Sequence, residues 1–381
     1  MYIFSVSIAL IKALNIICFD IPYPANYGGA MDVFHKVRWL HKKGIKVYLH
    51  CFEYGGRKPA PELEELCEKV FYYKRRTGLA ALLSPWPYNV KTRYSEELIQ
   101  NLLQNDYPIV CEVLHTCYVL ADPRFKDRLK IYREVNIEHE YYRHLAMGEK
   151  SFVKRLYLRM EARKLERYEA VVKHADALAT VSTNDQQRFQ SLYPSKKNTL
   201  IPCFHEFDTV EIKPGQSDFI LYHGNLGVSE NYIAAEWLID NVFSKINYRV
   251  IIAGLNPPPF LKEQIAQHKH IELKENCSPQ EMNELIANAQ IHCLYTQQAT
   301  GLKLKLLNAL YRGRYVVAND AMLAGTSLHK ACVTANSPRE FVNAIEKFMP
   351  QPVSNEIQEV RSTLVADYDN NNKIDAFLNM L

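Results

Sequence analysis

Residues Gly301 to Gly313, reading GLKLKLLNALYRG, place a turn glycine, two lysines and an amide on a stretch whose leucine spacing predicts a helix. They stand between the apolar runs IHCLY (291–295) and YVVAN (315–319), so the segment reads strand, loop, helix, strand. A helix starting just after a glycine offers unpaired backbone N–H groups and a partial positive charge, a setting that suits a phosphate. Lys303 and Lys305 bring cations to the same place. Lys305, Asn308 and Arg312 recur at i, i+3 and i+7 as a polar stripe, beside an apolar stripe of Leu304, Leu307 and Tyr311. The same residues would also build an ordinary sheet-covering helix with lysine stems lying over apolar surface.

The elements around this segment alternate strand and helix. In the first half ALNIICF reads as a buried strand, DIPYPANYGG as a loop, and Val33, Phe34, Val37 and Leu40 as the core face of a helix stopping at Gly44 before the strand IKVYLHCF. Gly28 and Gly29 lie at that helix entrance, where glycine lets backbone approach a ligand or simply makes a turn; the pair is not the GxGxxG of nicotinamide binding. PIVCEVLH (108–115), KIYREVNIEHEYY (130–142), a basic helix around 150–174 and ALATVST (177–183) follow. The second half repeats the architecture with strands near 218–225, 248–254, 270–275, 289–295 and 314–320, several ending in Gly or Asn before a helix. Polar loops therefore gather along the carboxyl edge of a parallel sheet, where ligands bind.

The expected fold is α/β: two doubly wound Rossmann-like domains facing across a cleft, the usual place for a ligand held by both. Residues 1–205 form the first domain and 206–350 the second, with the turn-rich HEFDTVEIKPGQSD (205–218) as linker. A helical segment, 351–381, is placed to cross back to the first domain.

Composition narrows the class. The chain has 381 residues, 48% apolar and 23% charged, which is globular and long enough for two domains. Its nine cysteines include no Cys-x-x-Cys pair, which fits free thiols in a reducing, cytoplasmic compartment and argues against a disulfide framework or a structural zinc site. Residues 1–205 hold 31 Lys and Arg against 22 Asp and Glu, whereas the rest hold 15 against 20. A basic first half suits a polyanionic neighbour such as an anionic membrane surface, or is simply solvated; nothing points to nucleic acid. The uncharged MYIFSVSIALI at 1–11 is too short to span a bilayer and reads as a weak interfacial anchor or as residues preceding the first strand.

The segment TGLKLKLLNALYRGRYVVAND resembles the donor-site signature of retaining glycosyltransferases of the GT-B fold, the family-four group, which often reads G-T-R-L-K-x-L-E-A-x-A-x-G-x-P-V-V. Gly301, Leu304, Lys305, Leu307, Ala309, Gly313, Val316 and Val317 match it, and Lys303 stands where it has Arg. IPYPANYGG resembles the family's acceptor-side glycine loop, YHGNLGVSENYIAAEWL the first strand and helix of its donor domain, and REVNIEH (133–139) an R-x-H-N-I-E-H segment of some bacterial relatives, with Val135 in place of His. The resemblance covers about residues 13 to 350.

What the resemblance implies is transfer of a sugar from a nucleotide-sugar to a glycan or lipid-linked acceptor with retention of configuration, at the inner face of a membrane, in cell-surface polysaccharide or glycoconjugate synthesis. His115, Lys303 and Lys305 would be catalytic; Gly224, Asn225, Thr300, Gly301, Leu302 and Asn308 would hold the donor; Gly28, Gly29, Glu112, Glu138 and His139 would face the acceptor. Thr300 and Asn308 occupy the places of two family glutamates, and the Arg-x4-Lys pair that often clamps the diphosphate is missing from GNLGVSENY, so Lys303 and Lys305 are left to supply that charge. No cofactor is implied and no metal is expected, since Asp367-Tyr368-Asp369 lies too near the C-terminus to serve as the Asp-x-Asp of the GT-A class. An epimerase or phosphorylase of the same fold, or a non-catalytic relative, would share these features.

Overall fold

The computed structural model describes residues 12–149, 151–299 and 301–381; the apolar N-terminal run and Thr300 lie outside them. Seven parallel strands form the first sheet: β1 (Ala13–Cys18), β2 (Lys46–Glu53), β3 (Lys69–Lys74), β4 (Ile109–Glu112), β5 (Lys130–Arg133), β6 (Ala177–Thr180) and β7 (Lys197–Leu200). Their order is β3-β2-β1-β4-β5-β6-β7. Six more form the second: β8 (Phe219–Asn225), β9 (Arg249–Leu255), β10 (Ile271–Glu275), β11 (Ile291–Leu294), β12 (Tyr315–Ala318) and β13 (Val333–Thr334), in the order β10-β9-β8-β11-β12-β13. The architecture is two doubly wound domains, as the alternation predicts.

Near-continuous Ile, Val and Leu runs make these strands because helices cover both faces of each sheet and leave no solvent side. Leu14, Ile16, Val47, Val110 and Ile131 fill one side of the first core, and Ile17, Phe52, Cys111, Tyr132 and Leu178 the other. Ile220, Tyr222, Val250, Ile252 and Val317 do the same in the second domain. In both sheets the order reverses at the first strand, between β1 and β4 and between β8 and β11. The crevice beyond the carboxyl ends of such a pair is where doubly wound sheets take ligands.

Several expected bounds shift. PIVCEVLH does not run as strand to His115, because Val113 takes φ +58° and the chain turns into a 3-10 helix, Leu114–Ala121. The basic helix is Phe152–Tyr168, followed by a 3-10 segment, Glu169–His174. The linker is turn-rich but not loose: Phe207, Val210 and Ile212 are buried, and Gly215 pairs with Val353 through backbone hydrogen bonds of 2.8 and 2.9 Å.

After the second sheet, the helix Glu356–Leu364 stays with the second domain, its Arg361 donating to the carbonyls of Leu310 and Arg314. The helix Asn370–Leu378 then packs Ile374 and Phe377 into the first domain's core, and Lys43 pairs with Asp375 at 2.7 Å. Asn370 Nδ2 donates to the carbonyls of His205 and Phe207, tying this crossing to the linker. Asp369 caps that helix through Asn372 N, and Asp367 accepts from Ser327, which accounts for the Asp-Tyr-Asp run as local structure.

Candidate functional site

At the second domain's switch point, β8 ends in Gly224-Asn225 and β11 runs into the loop leading to Gly301. The helix beyond begins at Leu304 with Lys303 as its N-cap, two residues later than a helix starting just after the glycine. Lys303 makes no side-chain cap bond to that first turn, where Leu306 N donates to Lys303 O at 2.9 Å. Lys305 lies partly buried behind that turn, its Nζ donating to Asn231 Oδ1 at 2.5 Å and standing 5.2 Å from the Tyr222 ring. Gly224 leaves the room: a Cβ there would lie 3.1 Å from both Asn231 and Lys305 Nζ. Burial lowers the Lys305 ammonium to about 8, with Glu230 resisting the fall and Lys303 adding to it. Lys303 is lowered for the same reason, with Glu230 and then Asp185 of the facing domain holding its proton.

The loop between β11 and this helix is pinned from below. Asn319, at the end of β12, donates to Thr296 O at 2.7 Å and accepts from Thr296 N at 3.2 Å, while Thr296 Oγ1 donates to Glu230 Oε1 at 2.9 Å. The loop is thus fixed to the first turn of the helix Ser229–Asn241, which carries both Glu230 and Asn231.

The two domains touch here. Gly301, at φ +66°, lies against Asn136 and Val135 of the first domain, and Thr183 N donates to Gly325 O at 3.1 Å. Leu302 and Leu304 share an apolar cluster with Met31, Val135 and Val181. Gly28 faces the same contact, since a Cβ on it would meet Leu304 at 3.7 Å. The loop before Gly28 is held by Arg57, which donates to the carbonyls of Ile21 and Pro24 and pairs with Asp20 at 3.4 Å.

Beyond β4 and β5, His115 Nε2 and Glu138 Oε2 stand 3.3 Å apart, both almost enclosed. His115 rises from the 3-10 helix after β4, and Glu138 opens the helix Glu138–Gly148 that follows β5. The structure therefore groups Gly28, His115 and Glu138 with the first sheet's carboxyl edge, opposite Gly224, Asn225, Gly301, Lys303 and Lys305 on the second.

Three residues expected on the acceptor side sit elsewhere. Glu112 has no exposed surface and pairs with Lys36 at 2.7 Å, within a buried cluster where Asp32 also meets Arg133 at 3.2 Å. Its role is to neutralise Lys36 inside the core, since a buried ammonium needs a counter-ion. His139 turns away from Glu138, as neighbours on a helix must, and its Nδ1 lies 3.4 Å from Glu169, which also pairs with Arg188. Gly29 is a packing glycine, since a Cβ would fall 2.6 Å from the Phe19 ring. The polar stripe also divides: Arg312 pairs with Glu211 and covers Phe207 at the linker, while Asn308 stays half-buried near the site.

Glu230, Asn231, Asn136 and Asp185 stand beside these residues and were not among the expected site residues, although the first three lie in segments that carry the resemblance. The available signal was position: Glu230 and Asn231 follow the glycine at the end of β8 by only a few residues, at a helix start.

Residues 217–351 match the family model described as glycosyl transferases group 1. The chain is 25% identical over 327 residues to an uncharacterized 44.6 kDa protein in the cps region of Klebsiella pneumoniae, covering 81% of this chain and 82% of that one. Sucrose-phosphate synthase from Thermosynechococcus elongatus superposes with a TM-score of 0.69 at 13% identity, over 97% of this chain and 98% of the other. Anabaena HepE, solved with UDP and glucose, gives 0.63 at 13% identity over 97% and 100%. S. aureus TarM, solved with fondaparinux, alpha-GlcNAc-glycerol and UDP, gives 0.65 at 9% identity over 97% and 99%. At these identities the likeness shows the fold, which is GT-B. In its second domain and in its architecture the chain resembles group 1 glycosyltransferases.

Proposed function

We propose that this chain moves a sugar from a nucleotide-sugar donor to a glycan or lipid-linked acceptor, with retention of configuration, in the synthesis of a cell-surface polysaccharide or glycoconjugate on the cytoplasmic side of a membrane. One observation carries the reading: two half-buried lysines stand at the carboxyl edge of one sheet, where partial burial lowers both ammonium groups, across from His115 and Glu138 at the carboxyl edge of the other. Burying ammonium groups costs free energy that an anion recovers. Glu230 supplies part of that charge, and a donor diphosphate would supply the rest.

Negative charge on the diphosphate grows as its bond to the sugar breaks. Fixed cations and helix N–H groups aimed at it therefore stabilise the transition state more than the bound donor. Lys305 is held by Asn231 and backed by Tyr222, so it needs no reorganisation as that charge develops. Asn308, one turn along, offers an amide to a ribose hydroxyl. On the opposite edge, His115 and Glu138 orient each other and are placed to hydrogen-bond an acceptor hydroxyl, so that much of the rate comes from presenting it on the face where configuration is retained. The polysaccharide role draws support from the relative in the Klebsiella cps region, and the nucleotide-sugar donor from UDP in the HepE and TarM structures.

A thermal-shift screen against UDP-, GDP- and dTDP-sugars tests donor binding, since a ligand at 100 times its Kd stabilises by about 2.7 kcal/mol. Nucleotide release that rises on adding a glycan acceptor, and survives excess EDTA, is the expected turnover. Stabilisation without release across many acceptors would instead make the chain a binding protein, and no stabilisation by any nucleotide-sugar would end the donor reading.

A further inference from the structure

The helix Phe152–Tyr168 has two unlike faces. Glu161, Ala162 and Leu165 are buried against the first domain, with Glu161 accepting from Tyr88 N at 2.6 Å. Away from them run Phe152, Val153, Leu156 and Met160, spaced i, i+1, i+4 and i+8 and 75, 74, 59 and 40% exposed. Lys164 comes next on that row and donates to Leu82 O at 3.2 Å, which sets the short helix Leu79–Leu82 alongside. There Leu79 and Leu83 are 77 and 83% exposed. Single exposed apolar side chains are ordinary, but six on one side of one domain form a patch with a use.

The charges beside the patch have one sign. The helix carries six Lys and Arg against two Glu, and both acids are engaged, Glu161 with Lys164 at 2.9 Å and Glu166 with Arg143 at 2.6 Å. Arg159, Arg163 and Arg167 are exposed on or beside the apolar row. An apolar row flanked by cations is the composition of a helix lying in a lipid headgroup layer, where buried methylenes and anionic phosphates are met at once. No helix among the described residues is long and apolar enough to cross a membrane.

We propose that this face docks the protein on an anionic lipid bilayer, with Phe152, Leu156, Met160 and Leu83 entering the headgroup boundary and the flanking arginines meeting lipid phosphates. The charge complementarity selects a bilayer over a second copy of this chain, whose own patch would present the same cations. The docking does not depend on the transferase reading. It would nonetheless set the site near the surface, because the helix packed beside this one starts at Glu138, and its eleven residues span roughly 16 Å.

Vesicle flotation of the full chain provides the test, using phosphatidylcholine vesicles with and without about one third phosphatidylglycerol, the lipid that supplies the net charge cations read. The wild type should float with the anionic vesicles at low salt, ignore the neutral ones, and detach near 1 M salt, where the Debye length is about 3 Å. Leu156→Asp with Met160→Asp, and separately Arg159→Glu with Arg163→Glu, should each lose at least tenfold in vesicle affinity while keeping the wild-type melting temperature. Wild-type binding by either pair of variants, equal binding to both vesicle types, or no vesicle binding together with a dimer that the Leu156→Asp, Met160→Asp variant dissociates, would each overturn the proposal.

Discussion

Gly301 of the second domain and Asn136 of the first meet so closely that a Cβ on the glycine would lie 2.5 Å from Asn136 Oδ1. The glycine also holds φ +66°, a conformation costing an L-residue about 1–2 kcal/mol. Gly301→Ala should therefore lower the melting temperature and push the domains apart, weakening nucleotide-sugar binding at least tenfold. Asn136→Ala relieves the contact but not the backbone cost, so the double variant should recover part of the lost affinity. Equal losses in both backgrounds would mean that the contact across the cleft contributes nothing.

Lys305 gives opposite pH slopes to stability and binding. Folding lowers its ammonium from 10.5 to about 8, so between those values the unfolded chain binds more protons and stability through this group rises with pH. An anionic donor needs the charged form, so its affinity should fall as pH passes about 8. Lys373, pushed down to about 7 by burial, adds to the first slope and not to the second. Lys305→Met should weaken donor binding by about 1.5–3 kcal/mol, the worth of a charge-assisted hydrogen bond, and flatten the binding profile. Titration calorimetry from pH 6.5 to 9.5 reads both, and an unchanged profile in the variant would remove Lys305 from the site.

The central strands and the glycines that end them were legible because buried parallel strands are continuous apolar runs. β3 and β7 were not: each lies at a sheet edge and is only half covered, so KVFYYK and KNTL carry polar residues a central strand would exclude. Val113 hid a turn, since nothing in its type announces φ +58°. Site residues that act through backbone position, such as Gly224 and Gly301, were visible as strand and loop ends. Those that act through partners were not, because Glu112 with Lys36 and His139 with Glu169 are pairings made by the fold over 76 and 30 residues of chain. Lys303 and Lys305 showed as cations, while Glu230 and Asp185, which hold their protons, needed the second helix and the second domain in place.

Glu112 should behave as a core residue. Glu112→Ala leaves Lys36 buried and without its closest carboxylate, a loss of about 3–5 kcal/mol for a broken buried pair. Asp32, held down at about 2 by Arg133 and Lys36 against the effect of burial, remains 3.7 Å from Lys36 and limits the damage. Chemical denaturation would show the loss. A variant as stable as the wild type, with only its acceptor KM raised, would restore Glu112 to the acceptor site.

Asn308 offers the most direct test of how far this chain has moved from the relatives it resembles. Its Oδ1 is buried and finds no hydrogen-bond partner among the described residues, although the helix could have placed a carbon there at no polar cost. Asn308 lies three residues after Lys305, one turn along the same helix, where side chains are neighbours. Asn308→Glu would set a carboxylate beside that ammonium, so the fold should survive and the Lys305 pKa should rise above about 8. The pH at which donor affinity declines should rise with it. Donor preference is free to change, since a carboxylate accepts two ribose hydroxyl bonds where the amide offers one acceptor and one donor group. Thermal melting with nucleotide-sugar titrations at pH 7 and 9 reads these outcomes, and collapse of the fold would show that Asn308 faces the core and not the nucleotide.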